Sequence, residues 1–337
     1  MKYNSSRKLG KFGSNISPIG IGAMSFTDFY GPCNDEQANN ILNTALDLGL
    51  NHIDTSNVYG NGTSERRIGD FLAKQGKQKN ELFVLATKAA IYKDPETGVR
   101  GFNNSKKHLE EELDKSLNRL GVDYIDLFYV HRRDFKIPIE EVTQSLAKFV
   151  EKGKVKSIGF SEIAPTSLIK ASKVHHIAAV QSEYSLSTRS PEMGLVQNCK
   201  ELGTALVAFS PVGRSFLTDT PLSYESGQKL DFTKNNPRFI EENYYENIKL
   251  TEKFRSYAKD IGFKTATLAI AWLLNQGEHI IPIPGTRSVD HLNQLAAARD
   301  IDLTDEMVLQ IERILPIGWA YGDRYSDVQW VGPERYC

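Results

Sequence analysis

Short apolar runs rich in β-branched residues alternate along this chain with longer segments whose apolar residues recur three and four positions apart. The runs are IGIGAM (19–24), NHID (51–54), LFVLATK (82–88), YIDLFYV (124–130), VKSIGF (155–160), AAVQSE (178–183), ALVAFS (205–210) and HIIPIP (279–284). The runs read as strands, and the segments between them as amphipathic helices. Examples of the helical spacing are Ala38, Ile41, Leu42, Ala45 and Leu46, and then Leu109, Leu113, Leu117 and Leu120. Start and stop signals fall where helices need them: Asn34-Asp35 and Gly49 around the first, Ser105 and Gly121 around the third. Eight such units without a composition break predict an α/β fold, a closed (β/α)8 barrel forming a single domain over 1–337. An open dinucleotide-binding sheet would need G-x-G-x-x-G after its first strand, and here Gly20-Ile21-Gly22 runs on into Ala23-Met24. Three stretches break the alternation: SSRKLGKFGSNIS, read as a hairpin closing the barrel bottom, a polar loop from about 212 to 243, and an aromatic tail from about 316 to 337.

Composition narrows the partners. The chain has 337 residues, 40% hydrophobic and 25% charged, and 41 basic against 42 acidic residues leave a formal charge of −1. That balance gives no reason to expect nucleic acid or a bilayer as partner. No apolar run approaches a membrane span, and the N-terminus lacks an apolar signal core, so a cytoplasmic location is expected. The basic pairs Lys106-Lys107 and Arg132-Arg133 read as solvated surface. Cys33, Cys199 and Cys337 are odd in number and lack metal-ligand spacing, which suits free thiols better than a disulfide framework or a zinc site.

In a (β/α)8 barrel the carboxyl ends of the strands surround one pocket. Those ends carry Asp54 and, five positions on, Tyr59 after the second strand, Lys88 on the third, and His131 after the fourth. Singly each has a plain explanation: a turn former, a rim aromatic, a snorkelling lysine, a satisfied histidine. Together they make a proton-transfer group. A tyrosine hydroxyl with a pKa of about 10 is a poor acid at neutrality; a nearby ammonium is expected to lower that value, with an aspartate keeping the lysine charged. A histidine can orient a carbonyl oxygen by hydrogen bonding. None of the four can supply a hydride, so a cofactor is required.

At these residues the chain resembles the aldo-keto reductases over essentially its whole length: IDTSNVYG matches the family's aspartate-and-tyrosine segment, VLATK its lysine strand and DLFYVHR its histidine strand. The resemblance implies Tyr59 as general acid/base, tuned by Lys88 and Asp54, with His131 positioning the carbonyl. It implies NADPH/NADP+ as cofactor, with NADH as the alternative. Gly22 and Met24, Ser161 and Glu162, and Gln181 would then lie on the cofactor side, the last three at the nicotinamide carboxamide. Phe209 would stack on the ring, and Ser210, Pro211, Val212 and Arg214 would follow the pyrophosphate. Gly285, Thr286 and Arg287 would hold the 2′-phosphate and Gln294 the adenine, although His291 and Leu295 stand where the family often has an arginine and an asparagine. Guanidinium and helix N-terminal N–H groups suit a phosphate dianion.

The expected partner is a small carbonyl substrate, with sugars, pyridoxal and aromatic aldehydes all compatible with an aromatic rim; Phe29, Tyr30, Tyr92, Trp319, Tyr321 and Trp330 either wall the pocket or pack on the barrel. The overall proportions resemble the pyridoxal-reductase-like and bacterial general-stress branches of the family. Two other readings remain open: a nucleotide-binding sensor or auxiliary subunit with little turnover, and a metal-dependent barrel enzyme. The second would need clustered ligands at strand ends, whereas His175-His176 precedes the sixth strand. The sequence carries no signal of oligomeric state.

Overall fold

A computed structural model describes residues 6–76, 81–94 and 96–336; Cys337 lies outside them. The segment before the first apolar run folds as an antiparallel hairpin, β1 (Arg7–Lys8) and β2 (Asn15–Ile16). All eight runs form strands: β3 (Ile21–Gly22), β4 (His52–Asp54), β5 (Val84–Ala89), then, after a small antiparallel hairpin of β6 (Ile91–Lys93) and β7 (Arg100–Phe102), β8 (Ile125–Val130), β9 (Val155–Ser161), β10 (Ala179–Glu183), β11 (Ala205–Phe209) and β12 (Ile280–Pro282). Each of the eight pairs in parallel with the next. The sheet closes on itself through Gly20 N–H to Pro282 O (2.9 Å) and Gly22 N–H to Pro284 O (3.0 Å). The backbones touch at this seam. A Cβ on Gly22 would sit 2.7 Å from Ile283 O, and one on Gly285 would sit 2.7 Å from Gly22 O, so only glycine fits at either position.

Helices wrap the outside. The first, α1 (Asp35–Asp47), starts with a reciprocal capping box between Asn34 and Gln37. It is followed by α2 (Thr63–Ala73) and α3 (Lys106–Leu120), the latter capped by Ser105 and ended by Gly121 at φ +65°. The remaining outer helices are α4 (Ile139–Glu151), α5 (Pro165–Ser172) and α6 (Leu195–Leu202). The stretch read as a polar loop from about 212 to 243 instead holds two short helices, α7 (Tyr224–Gln228) and α8 (Asp231–Lys234), and it ends inside α9 (Glu241–Asp260). Neither short helix is long enough to display a repeat of apolar positions. Ser223 caps α7, and Phe216, Phe239 and Tyr244 pack together beside them. The chain finishes with α10 (Thr265–Asn275), α11 (Val289–Ala296), α12 (Asp305–Ile314) and a tail without regular structure, whose Glu334 N–H reaches back to Glu162 O (2.8 Å).

Strand alternation decides what enters the barrel. On β8, Phe128 and Val130 face the helices, whereas Leu127 and Tyr129 face inward with Ala86, Val207 and Ile281. Leu9 and Ile16 of the β1–β2 hairpin join this inner cluster, so the hairpin plugs the barrel floor. The same parity turns Asp54, Lys88 and Gln181 inward, above the apolar plug. Among the described residues no helix is long and apolar enough to cross a membrane.

His52 also points inward and is fully buried. One ring nitrogen, Nδ1, lies 2.9 Å from Val84 O and so donates to it, while Nε2 has no partner. Burial holds its pKa below the usual histidine value, with Asp54 and the Val84 carbonyl pulling the other way. The folded state therefore refuses a proton that the unfolded chain accepts below about pH 6.5, so stability present above that pH is lost as the pH falls. Each such histidine lowers stability by at most about 1.4 kcal/mol per pH unit in this window. Urea unfolding at pH 7.5 and 5.5 should show this loss, and His52→Leu should reduce it; an unchanged pH dependence would remove His52 from the account.

Candidate active site

Lys88 is 0% exposed and uses all three ammonium hydrogens: Nζ donates to Asp54 Oδ1 (2.5 Å), Thr55 O (2.7 Å) and the Tyr59 hydroxyl (3.3 Å). The turn after β4 makes this possible. Thr55 N–H to Ala86 O (2.9 Å) and Asn57 N–H to Lys88 O (3.1 Å) continue the ladder to β5 beyond the strand, which carries Tyr59 over Lys88. Gly60, Asn61 and Gly62, all at positive φ, then reverse the chain into α2. Asp54 completes its bonding through Oδ2, which accepts from Gln181 Nε2 (2.7 Å). Because Tyr59 Oη accepts from Lys88, its own proton is free to point elsewhere.

The His131 ring meets that of Tyr59 edge to face, with centroids 5.8 Å apart, and Nδ1 lies 3.1 Å from Ser56 Oγ. Its pKa is held well below the usual value, first by burial and then by the charges of Arg132, Lys88 and Arg100, so the imidazole is neutral. Burial would also discharge Lys88, but Asp54 and Tyr59 outweigh it and keep the ammonium charged. Tyr59 departs from the expectation. Its pKa is raised rather than lowered, because burial outweighs the opposing pull of Lys88.

The other residues singled out from the sequence divide into two groups. Ser161, Glu162, Gln181 and Phe209 share the mouth with the four above, because β9, β10 and β11 run in parallel and in register. Ser161 Oγ accepts from Arg132 (2.9 Å). Glu162, at φ +58°, accepts through Oε1 from Glu183 N–H (2.9 Å) and Ser182 Oγ (3.2 Å), and through Oε2 from Arg324 (2.5 Å). Beyond Phe209, Ser210 sits at φ +50° and Pro211 is buried, with Val212 half-buried before the turn. Arg214, at φ +54°, is buried and paired with Glu183 (2.6 Å) beneath Phe232. Strained backbone of this kind concentrates at ligand sites.

The second group lies at the seam. Gly22 and Gly285 face each other there, with Met24 half-buried on the following turn. Thr286 is buried, and Arg287 donates to Pro32 O (2.6 Å) and Tyr30 O (2.9 Å), tying the loop after β3 to the start of α11. Gln294 is half-buried on α11, while Leu295 packs into the core.

Reading Arg132-Arg133 as surface was wrong. They are 9% and 6% exposed, because Arg132 turns in to reach Ser161 Oγ and Glu334 of the tail pairs with Arg133 (3.5 Å). Sequence reasoning also missed Ser56, Glu183, Arg238 and Arg324. Glu183 was legible in principle, since it follows Gln181 by two and so shares its inward parity. The mouth thus holds Arg214, Arg238 and Arg324 against Glu162 and Glu183. Arg214 Nε and Arg324 Nη1 are buried without a hydrogen-bond partner. This surplus of cations beside a glycine-only seam fits an anionic nucleotide. Among the described residues no group of His, Cys, Asp and Glu converges as a metal site.

The Aldo/keto reductase family profile matches residues 18–316. An NADP(+) aldo-keto reductase from Schizosaccharomyces pombe is 38% identical over 323 residues, covering 95% of this chain and 94% of that one. A probable aldo-keto reductase from Glycine max is 36% identical over 324 residues, 94% and 91% of the two chains. Among solved structures, a glycerol dehydrogenase from Gluconobacter oxydans superposes with a TM-score of 0.81 at 26% identity, covering 94% of this chain and 96% of its own. The holo form of an aldo-keto reductase from Bacillus halodurans gives 0.76 at 25% identity, with 96% and 99% covered. By fold and by sequence, this chain belongs to the aldo/keto reductase family.

Proposed function

We propose that this chain reduces an aldehyde or ketone to the alcohol with NADPH, Tyr59 giving the proton. The observation that carries this reading is the saturated Lys88 ammonium, which fixes Tyr59 Oη as an acceptor and leaves its proton for a ligand. A carbonyl oxygen between Tyr59 and His131 takes one hydrogen bond from each. As negative charge develops on that oxygen Tyr59 releases its proton, and the resulting phenolate is stabilised by the adjacent ammonium. Asp54 keeps Lys88 charged while this happens. The raised pKa of Tyr59 in the free chain keeps the proton in place at neutrality, as an acid requires.

NADPH, when bound, would supply the hydride. Ser161 and Gln181 would hold its carboxamide and Phe209 its ring. Residues 210–212 with Arg214 would hold the pyrophosphate, and Thr286 with Arg287 the 2′-phosphate. A guanidinium has five N–H groups, and Arg287 spends two on backbone carbonyls, so the others remain for phosphate. The NADP(+) in the name of the fission-yeast relative supports this choice of cofactor.

Tyr59→Phe should lower kcat for aldehyde reduction by roughly 10²- to 10⁴-fold while leaving NADPH affinity nearly intact. Stopped assays at the reduced-nicotinamide band with fluorescence titration check both, and an active variant would sink the assignment. Alcohol oxidation should climb with pH through the alkaline range, since Tyr59 must first lose a proton held more tightly than in free tyrosine; a profile that levels off near neutrality would point to another base. Arg287→Ala should weaken NADPH about tenfold and NADH much less, because only NADPH carries the 2′-phosphate. Equal losses would place the phosphate elsewhere.

A further inference from the structure

Arg132 follows His131 directly and is nine-tenths buried, yet no carboxylate among the described residues forms an ion pair with it. Its neighbours behave differently: Arg133 pairs with Glu334, Arg214 with Glu183, and Arg324 with Glu162. Buried charges without partners are rare because removal from water is costly, so the exception points to a partner that arrives from outside. Only Nη1 is engaged within the protein, donating to His131 O (2.7 Å) and Ser161 Oγ (2.9 Å). That leaves Nε–H and the Nη2 hydrogens, the side edge of the guanidinium, which matches the two oxygens of a carboxylate. Neither atom is among the enclosed, unpartnered ones, unlike Arg214 Nε and Arg324 Nη1, so this edge is not sealed off, and Nη1 holds it beside His131 and Ser161.

The surroundings fix which cleft. Tyr59, His131 and Glu162 all feel the Arg132 charge. Glu162 feels that charge without forming an ion pair with it, its oxygens accepting instead from Arg324, Ser182 and the Glu183 N–H. A second cation stands at the rim. Arg100, on β7, has no ion pair among the described residues, lies over Phe102 (5.3 Å) and is close enough to Arg132 for the two charges to oppose each other.

We propose that the carbonyl substrate of this site carries a carboxylate a few bonds from its carbonyl, gripped by the free edge of Arg132 with Arg100 guarding the entrance. This rests on the reductase reading and narrows its substrate class.

The test is kcat/KM of the full chain with NADPH for ortho-, meta- and para-formylbenzoate, each against the matching neutral formylbenzamide, together with benzoate binding to the NADP+ complex. In at least one isomer the acid should be preferred by roughly tenfold or more, and the acid-to-amide ratio should fall toward one in Arg132→Gln. Amides reduced as well as acids, or a preference that survives in Arg132→Gln, would overturn the proposal while leaving the reductase reading standing. A loss in Arg132→Gln confined to NADPH affinity would also overturn it, by placing Arg132 in the cofactor's site. If no aldehyde is reduced, benzoate binding that disappears in Arg132→Gln supports the oxyanion site without the reductase reading, and absence of benzoate binding refutes it.

Discussion

A full positive charge sits at the top of an apolar barrel, and most of the mouth is arranged around keeping it there. An ammonium in that position is tolerated only if its three hydrogens find acceptors and its charge finds an opposite. Lys88 meets both conditions through Asp54, the Thr55 carbonyl and Tyr59. Each partner then inherits a constraint. Asp54 must end its strand inward, Thr55 must turn its carbonyl into the barrel, and the chain must reverse soon after Tyr59. Gln181 is drawn in as well, because the second oxygen of Asp54 also needs a donor. The geometry that suits proton transfer is thus largely the geometry that satisfies one buried lysine.

Much of this was legible from the chain. Apolar runs of four to seven residues marked all eight barrel strands, and a period of two sorted their residues into an inner and an outer set, so polar residues at strand ends had to face a common mouth. The helix caps at Asn34 and Ser105 followed from local hydrogen bonding alone. Most of what was not legible depends on residues far apart in sequence. Arg133 looks like a solvated cation until a tail some 200 residues later pairs with it, and Arg132 until the next strand brings Ser161 to it. Tyr59 was expected to become more acidic beside a lysine, but that expectation left out burial, which is a property of the packed mouth. Residues 224–234 looked like loop because single helical turns carry no periodicity, and the contact between Ser56 and His131 joins positions 75 apart.

The carboxylates of Glu162 and Glu183 act as struts beneath the mouth. Glu183 draws together Arg214 from the turn after β11, Arg238 from the segment before α9, and Arg324 from the tail; Glu162 takes the other end of Arg324. Around them Phe232, Tyr325 and Trp330 meet edge to face, with Phe232 and Trp330 lying against the guanidinium groups of Arg214 and Arg324. Three surface segments with little regular structure are thereby held to a rigid sheet, so the walls of the cleft are set by ion pairs and aromatic contacts as much as by the strands below.

The glycine seam bears on how the molecule folds. Residues that meet there are more than 250 positions apart, so the chain must order nearly everything between them before Gly22 can find Pro284. Until then β3 and β12 present open edges, the state in which parallel sheets are most exposed to misassembly. Closure of this long-range pairing is therefore expected late in folding, and opening of the seam early in unfolding. Amide hydrogens of Gly20 and Gly22 would report that breathing before those of β5 or β8, deep in the sheet.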